Sequence, residues 1–231
     1  MSWTRAAVIG ASGGIGSALA AALEKEGTEV HRFARSFRGA AHIDITDEQT
    51  VKAAALAMRT IGSPDLVIVA TGYLHASGQG PEKDWRRIGP DEMAKNFALN
   101  AIGPALVAKH FLPLLSDSGR AGFAALSARV GSISDNRLGG WYSYRASKAA
   151  LNQLIRTFAV ELARKKPEAF CIGLHPGTVD TALSEPFQRN VPKDKLFAAE
   201  RSADALLSVL ARCDRNSSGR IFAWDGEEIA P

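Results

Sequence analysis

Apolar and polar positions follow two alternating patterns along the chain. Short continuous apolar runs, typical of strands buried on both faces, are separated by longer stretches with helical periodicity. The predicted strands are residues 5–10, 29–34, 66–70, 123–126, 170–174 and 220–224. The predicted helices are residues 17–26, 46–60, 91–113, 142–166 and 199–213. This order predicts an α/β fold, a doubly wound parallel sheet (Rossmann fold) with helices on both faces, as a single domain over residues 1–231.

A glycine-rich turn joins the first predicted strand to the first predicted helix. It places Gly10, Gly14 and Gly16 in a Gly-x-x-x-Gly-x-Gly pattern. Glycines allow a tight turn and a close approach of backbone N–H groups to a pyrophosphate at the positive end of a helix. The strand–turn–helix context makes this a predicted dinucleotide site, although a glycine turn can also serve structure alone.

The end of the second predicted strand indicates which dinucleotide is bound. An acidic residue at this position suits the ribose 2′-hydroxyl of NAD, and an arginine suits the 2′-phosphate of NADP. The chain has Arg35 and Arg38 here and no carboxylate. We therefore expect NADP (NADPH) to be preferred over NAD.

A tyrosine and a lysine lie four residues apart at the start of a predicted helix. Tyr144 and Lys148 share one helix face at this spacing, whereas Tyr142 has Ala146 as its counterpart. A free tyrosine, with a pKa near 10, is a poor acid or base at neutral pH. A neighbouring ammonium favours the phenolate, so Lys148 is expected to lower the pKa of Tyr144.

Together these motifs resemble those of the short-chain dehydrogenase/reductase family, in its compact single-domain form. Within that family, residues 129–136, 139–145 and 224–229 resemble the carbonyl reductases related to Sniffer and the C-factor proteins. The resemblance implies that Tyr144, Lys148 and Asn100 are catalytic, with Asn100 holding a water in a proton relay. The cofactor-binding positions that it implies are Gly10, Ser12, Gly14, Ile15, Gly16, Arg35, Asp44, Ile45, Gly72, Tyr144, Lys148, Pro176, Gly177, Val179 and Thr181.

The sequence departs from the family at the catalytic serine. Ala128 holds that position, and Ser127 precedes it. Because successive strand residues point to opposite faces, Ser127 is expected to aim away from the substrate unless a bulge re-aims it. Ser132, in the following loop, is the alternative source of the hydroxyl and is the one that we favour. Residues 182–197 are predicted to form a short substrate lid.

Composition and charge limit the partners. The net charge is +4 with basic and acidic residues intermixed, and no basic stripe predicts nucleic-acid binding. The sequence shows no leader or long apolar span, so we expect a cytoplasmic protein without a membrane segment. Cys171 and Cys213 are expected as buried free thiols, and no histidine spacing predicts a metal site. The amphipathic helices at 91–112 and 144–165 favour a homodimer or homotetramer.

Two functional hypotheses follow. The first is an NADP(H)-dependent oxidoreductase that reduces a small-molecule carbonyl (an aldehyde, ketone or quinone) or oxidises the corresponding alcohol, with Tyr144 as the general acid/base. The alternative is an NADP(H)-binding sensor or signalling protein with little or no turnover, which the absence of a serine at position 128 also suits.

Overall fold

Six parallel strands form the central sheet of the computed structural model. The structure describes residues 3–75, 80–181, 183–184 and 196–231. The strand order is β2-β1-β3-β4-β5-β8. These strands are β1 (Arg5–Ile9), β2 (Glu29–Phe33), β3 (Leu66–Val69), β4 (Ala121–Leu126), β5 (Ala169–His175) and β8 (Ile221–Ala223); β6 (Thr178–Val179) and β7 (Leu196–Phe197) pair separately.

Helices cover both faces of this sheet, which confirms the predicted doubly wound fold. They are α1 (Gly14–Lys25), α2 (Glu48–Ile61), α3 (Pro90–Phe97), α4 (Gly103–Phe111), α5 (Tyr142–Lys165) and α6 (Ala199–Arg212). One buried cluster joins α1 and α6 to the sheet, and a second joins α2, α4 and α5 to the opposite face. The continuous apolar runs that predicted the strands are buried because helices lie against both of their faces.

The segment between β2 and α2 adds no strand to the sheet. Residues 66–69 therefore form the third strand along the chain. The segment between β2 and α2 contributes only a single bridge, from Ala34 to His42, to the strand pairing. It is short and contains a turn of 3₁₀-helix at Gly39–Ala41, which leaves no room for a paired strand.

The sheet reverses its order between β1 and β3. β1 pairs with β2 on one side and with β3 on the other, so consecutive connections leave in opposite directions. In open α/β sheets, ligands bind beyond the carboxyl ends of the strands at this point. The predicted glycine turn, which follows β1, lies at this switch point.

The helical run Pro90–Leu114 spans 25 residues, and an 18-residue window within it has a mean hydropathy of 1.2. Within the described residues it is the one helix long and apolar enough to cross a membrane. Val107, Ala108 and Phe111 from this run are fully buried in the core beside α2 and α5. A helix of the protein core has the same composition, so this observation is weak support for a membrane span.

Candidate active site

The glycine turn after β1 packs as closely as a nucleotide site requires. Gly10 has a positive φ of 88°, and a Cβ atom there would lie 3.0 Å from the backbone of Ala70. A Cβ on Gly16 would lie 2.3 Å from the Gly10 carbonyl oxygen. Only glycine fits either position, so the turn can bring its backbone and the start of α1 against a ligand.

Within the described residues, backbone N–H groups at the start of α1 have no hydrogen-bond partner. Its N-cap, Gly13, makes no side-chain cap, and Ser12, Gly13 and Gly14 are exposed. Beside them the hydroxyl of Thr71 is buried without a partner in the described part of the chain, and its methyl group lies against Gly10. Free N–H groups at the positive end of a helix suit a diphosphate, so the turn fits the dinucleotide that the sequence predicts.

Arg35 and Asp44 stand on either side of the β2 edge. Arg35 is exposed, and Asp44 is partly buried and accepts hydrogen bonds from the Thr46 N–H at 2.9 Å and hydroxyl at 2.7 Å. Burial opposes the charged form of Asp44, but the Thr46 hydrogen bonds and the charge of Arg35 hold its pKa below the ordinary value. The next residue, Ile45, is buried with its side chain against Gly103. An ionised Asp44 and the exposed guanidinium of Arg35 therefore lie close enough to interact beyond the end of β2.

The Pro-Gly loop after β5 reaches back to the glycine turn. Gly177 has a positive φ of 78°, and Pro176 accepts a hydrogen bond from the Ser202 hydroxyl at 2.8 Å. A Cβ on Gly14 would lie 2.9 Å from the Thr181 methyl group, so Thr181 contacts the start of α1. Leu183 lies over Gly72, 3.9 Å from the position of a Cβ there. The structure thus brings the Pro-Gly loop, the glycine turn at residues 10–16 and Gly72 into one cleft.

Most of the predicted lid lies outside the described residues. That segment comprises 182 and 185–195, whereas Leu196 and Phe197 form β7 beside Thr178 and Val179. Phe197 is buried and packs edge-on against Trp224, with ring centroids 4.7 Å apart. Of the apolar residues at the ends of the predicted lid, Phe197 therefore belongs to the core.

Tyr144 and Lys148 share one face of α5, as their spacing predicts. The Lys148 ammonium lies 5.8 Å from the centroid of the Tyr144 ring. It donates a 2.8 Å hydrogen bond to the carbonyl oxygen of Leu126, the last residue of β4. Lys148 is buried, so this bond fixes an amine at the carboxyl edge of the sheet.

The direction of the Tyr144 shift corrects the expectation from the sequence. Burial raises the pKa of Tyr144 to about 12, and burial lowers the pKa of Lys148 to about 7. The ammonium therefore does not lower the pKa of Tyr144 as the sequence predicts. Lys148 is bonded to a carbonyl rather than to the phenol, and desolvation outweighs their mutual attraction. Tyr144 is consequently a neutral phenol at physiological pH.

Lys148 makes the stability of the protein depend on pH. Between the pKa of about 7 in the folded protein and the reference value of 10.5, the unfolded chain binds more protons. The free energy of unfolding should therefore rise with pH through this window, by up to about 1 kcal/mol per pH unit from this group. Lys148→Met should flatten the rise in urea unfolding curves recorded at several pH values. Lys25→Met, at an exposed lysine, is the control variant. Equal slopes of the unfolding free energy against pH in the wild type and in Lys148→Met would contradict the lowered pKa of Lys148.

Asn100 lies in a π-helical turn that interrupts the α3–α4 run. The turn covers Ala98–Ile102, and the side chain of Asn100 is fully buried. Its amide donates to the Tyr73 carbonyl at 2.7 Å and to the Ser147 hydroxyl at 3.0 Å, and its oxygen accepts from the Tyr73 N–H at 2.8 Å. Such bulges are frequent at functional sites because they re-aim a side chain. Asn100 thereby links the loop after β3 to the helix that carries Tyr144.

The two candidate serines are engaged elsewhere. The Ser127 hydroxyl donates to Asn152 at 2.6 Å, on the side facing α5. The Ser132 hydroxyl donates to the Pro231 carbonyl at 3.4 Å and accepts from the Asp135 N–H at 3.1 Å. Among the described residues, neither hydroxyl bonds to Tyr144 or Lys148. Ala128 itself is buried and extended, so no bulge re-aims Ser127.

Sequence reasoning misses Ser147 and Thr71. Ser147 is fully buried between Tyr144 and Lys148, and its hydroxyl donates to the Tyr144 carbonyl at 2.9 Å while accepting from Asn100. A serine within a helix is a weak signal, because its hydroxyl usually bonds to its own helix or to water. Its place directly before Lys148 is the one hint that the sequence offers.

The uncapped glycine turn, the sheet switch point and the Tyr144–Lys148 face define a dinucleotide-binding oxidoreductase of the Rossmann class. The short chain dehydrogenase family model matches residues 4–192, and the chain belongs to that family. Members of this family act on small molecules with a nicotinamide cofactor, and the cleft described above fits such a group.

The chain is also similar to individual relatives of known name. C-signal of Myxococcus xanthus is 36% identical over 139 residues, covering 60% of this chain and 78% of that protein. A short-chain dehydrogenase/reductase from Burkholderia multivorans, solved with bound NADP, superposes with a TM-score of 0.81 at 25% identity, covering 99% of this chain and 100% of that chain. The carbonyl reductase Sniffer of D. melanogaster superposes with a TM-score of 0.82 at 20% identity, covering both chains fully (100%). The predicted resemblance is confirmed.

Proposed function

We propose that the protein is an NADP(H)-dependent carbonyl reductase, acting on an aldehyde, ketone or quinone, or on the corresponding alcohol in reverse. The observation that carries this proposal is the Tyr144–Lys148 pair beside the cleft at the switch point of the sheet. A bound nicotinamide supplies or accepts the hydride. The residues of the chain must bind it, orient the carbonyl and move one proton.

Tyr144 is the proton donor in this proposal. Reduction of a carbonyl adds a hydride to carbon and a proton to oxygen, and a phenol with a pKa near 12 carries that proton at neutral pH. General acid catalysis of this kind is worth about 10²–10⁴-fold in rate.

Lys148 and Asn100 support the donor. Lys148, with a pKa of about 7, can exchange a proton near neutral pH at a point where β4 ends. Asn100 reaches the same helix through Ser147 and fixes the loop at Tyr73. We propose that these residues restore the proton that Tyr144 gives up, with a water held near Asn100 as the link to solvent.

Arg35 supports the preference for NADP. It is an exposed guanidinium just after β2, and residues 33–38 contain no carboxylate. The relative from Burkholderia multivorans, which was solved with NADP, has the same fold. We assign Arg35 to the 2′-phosphate, with Asp44 toward the adenine and the free N–H groups of α1 toward the diphosphate.

Arg35→Ala should separate the two cofactors. The change removes a charge-assisted contact, so affinity for NADPH should fall about 10- to 100-fold while affinity for NADH stays within about twofold. Fluorescence titration of both reduced cofactors measures the two Kd values. Arg59→Ala, an exposed arginine at the end of α2, is the matched control. Equal losses of affinity for NADPH and NADH would show that Arg35 does not contact the 2′-phosphate.

The proposed activity is tested by NADPH oxidation across a panel of aldehydes, ketones and quinones. The half-buried Trp141 and Tyr142 beside Tyr144 favour apolar or aromatic carbonyls in this panel. NADPH binding without turnover on any member would support the sensor hypothesis instead. That second candidate is favoured by the missing hydroxyl at Ala128 and by the similarity to C-signal.

A further inference from the structure

Glu82 is a buried carboxyl group that the proposed mechanism does not use. Only 6% of its surface is exposed, and it belongs to the segment that precedes α3. Its side chain accepts hydrogen bonds from the Ser143 hydroxyl and, at 3.4 Å, from the Ser143 N–H. Ser143 is itself fully buried and is the residue immediately before Tyr144. Burying a carboxyl group is costly unless its hydrogen bonds offset the loss of solvent, so the partners of Glu82 are important.

The backbone of Glu82 holds the same region from a second point. Its carbonyl oxygen accepts a hydrogen bond from the Trp141 N–H at 2.5 Å. Trp141 follows Gly139 and Gly140, and all three have positive φ, at 63°, 66° and 54° for the tryptophan. A tryptophan in the left-handed region is an outlier that persists only when its surroundings fix it. Glu82 supplies one of the bonds that fix it.

Both residues held by Glu82 contact Tyr144. Trp141 packs edge-on against the Tyr144 ring, with centroids 6.3 Å apart and planes at 63°. Ser143 precedes Tyr144 in the first turn of α5, where the N-cap residue makes no side-chain cap. A carboxyl group at the positive end of that helix replaces the missing cap. The position of the Tyr144 phenol thus depends on a residue 62 positions earlier in the chain.

We propose that Glu82 is a positioning residue for Tyr144. It clamps the first turn of α5 through Ser143 and the left-handed turn through Trp141, and so fixes where the phenol points. The inference rests on the proposed function, because it is the proton transfer from Tyr144 that a loose helix start would slow. A displacement of about 1 Å at a reacting group can cost about 10²-fold in rate.

Two variants of Glu82 test this role. Glu82→Ala should lower kcat for a carbonyl substrate by about 10- to 100-fold and leave the Kd for NADPH within about twofold. Glu82→Gln keeps an oxygen that accepts from the Ser143 hydroxyl and should recover most of the lost activity. Asp214→Ala is the matched control, because it removes a carboxylate cap from the short helix before β8, at the opposite edge of the sheet. Hydrogen exchange of residues 142–148 reports the clamp independently of turnover and should become faster in Glu82→Ala.

The outcomes separate this inference from the proposed function. An unchanged kcat in Glu82→Ala, a loss no larger than in Asp214→Ala, or unchanged exchange at residues 142–148 would overturn the clamp. If Glu82→Ala does not fold, Ser143→Ala removes the main donor from the other side, and unchanged kcat and exchange in that variant would overturn it as well. A wild type without turnover on any carbonyl refutes the proposed function, while the exchange measurement still decides whether Glu82 holds α5.

Discussion

Replacing Tyr144 with phenylalanine should lower kcat by about 10²–10⁴-fold in the reduction of every carbonyl that the wild type accepts. The phenol is the one proton donor assigned in this mechanism, and with a pKa of about 12 it is protonated at neutral pH. The substitution removes a single oxygen atom and keeps the ring that packs against Trp141. The Kd for NADPH should stay within about twofold, because the glycine turn and Arg35 are unchanged.

Tyr142→Phe is the matched control for this experiment. It removes the same atom two residues earlier, where the residue four positions ahead is Ala146 rather than a lysine. NADPH oxidation by both variants, measured with one substrate from the panel, gives the comparison. Retained turnover in Tyr144→Phe, or an equal loss in Tyr142→Phe, would remove Tyr144 from the mechanism.

The second large effect is a gain of activity. Ala128→Ser restores a hydroxyl at the position where the family carries its serine, and kcat/KM should rise about 10-fold or more. Removing one oxyanion donor from an enzyme lowers its rate by about 10²–10³-fold, so the expected gain in kcat/KM lies at or below that range. The site accepts serine without strain because Ala128 has an extended backbone, with φ −154° and ψ 148°. Initial rates with NADPH and one carbonyl measure the gain.

Ser132→Ala completes this test. The hydroxyl of Ser132 is bonded to the Pro231 carbonyl and to the Asp135 N–H, so its loss should change kcat/KM by less than about threefold. No gain in Ala128→Ser together with a large loss in Ser132→Ala would show that Ser132 supplies the hydroxyl after all. That result would require the 132–135 loop to rearrange when substrate binds.

Much of the fold could be predicted from the sequence because its signals are local. The run Leu66–Val69 is buried along its whole length, and such a run has few alternatives to a central strand. Gly10 is required by its positive φ and Gly16 by the Gly10 carbonyl beside it, both within one turn, so a short motif is enough to identify them. Tyr144 and Lys148 lie one helical turn apart, which makes their common face a consequence of spacing alone.

The rest of the site depends on contacts between distant segments. The pKa of Tyr144 is set by burial, which the sequence around it does not encode, and the ammonium expected to lower it bonds to Leu126 instead. The partner of Ser132 is the Pro231 carbonyl, 99 residues away along the chain. Glu82 reaches Ser143 across 61 residues. Composition and periodicity do not predict such contacts between distant residues.

The π-helical turn at Ala98–Ile102 makes this helix sensitive to the loss of one residue. Such a turn contains one residue more than the regular helix needs, and each residue rotates the chain by about 100°. A protein shortened by one residue here could close the regular hydrogen-bond ladder and would then point the amide of Asn100 away from Ser147. The extra residue is thus an insertion that the regular helix disfavours. A search for more stable variants would tend to delete it at the expense of the proposed proton relay.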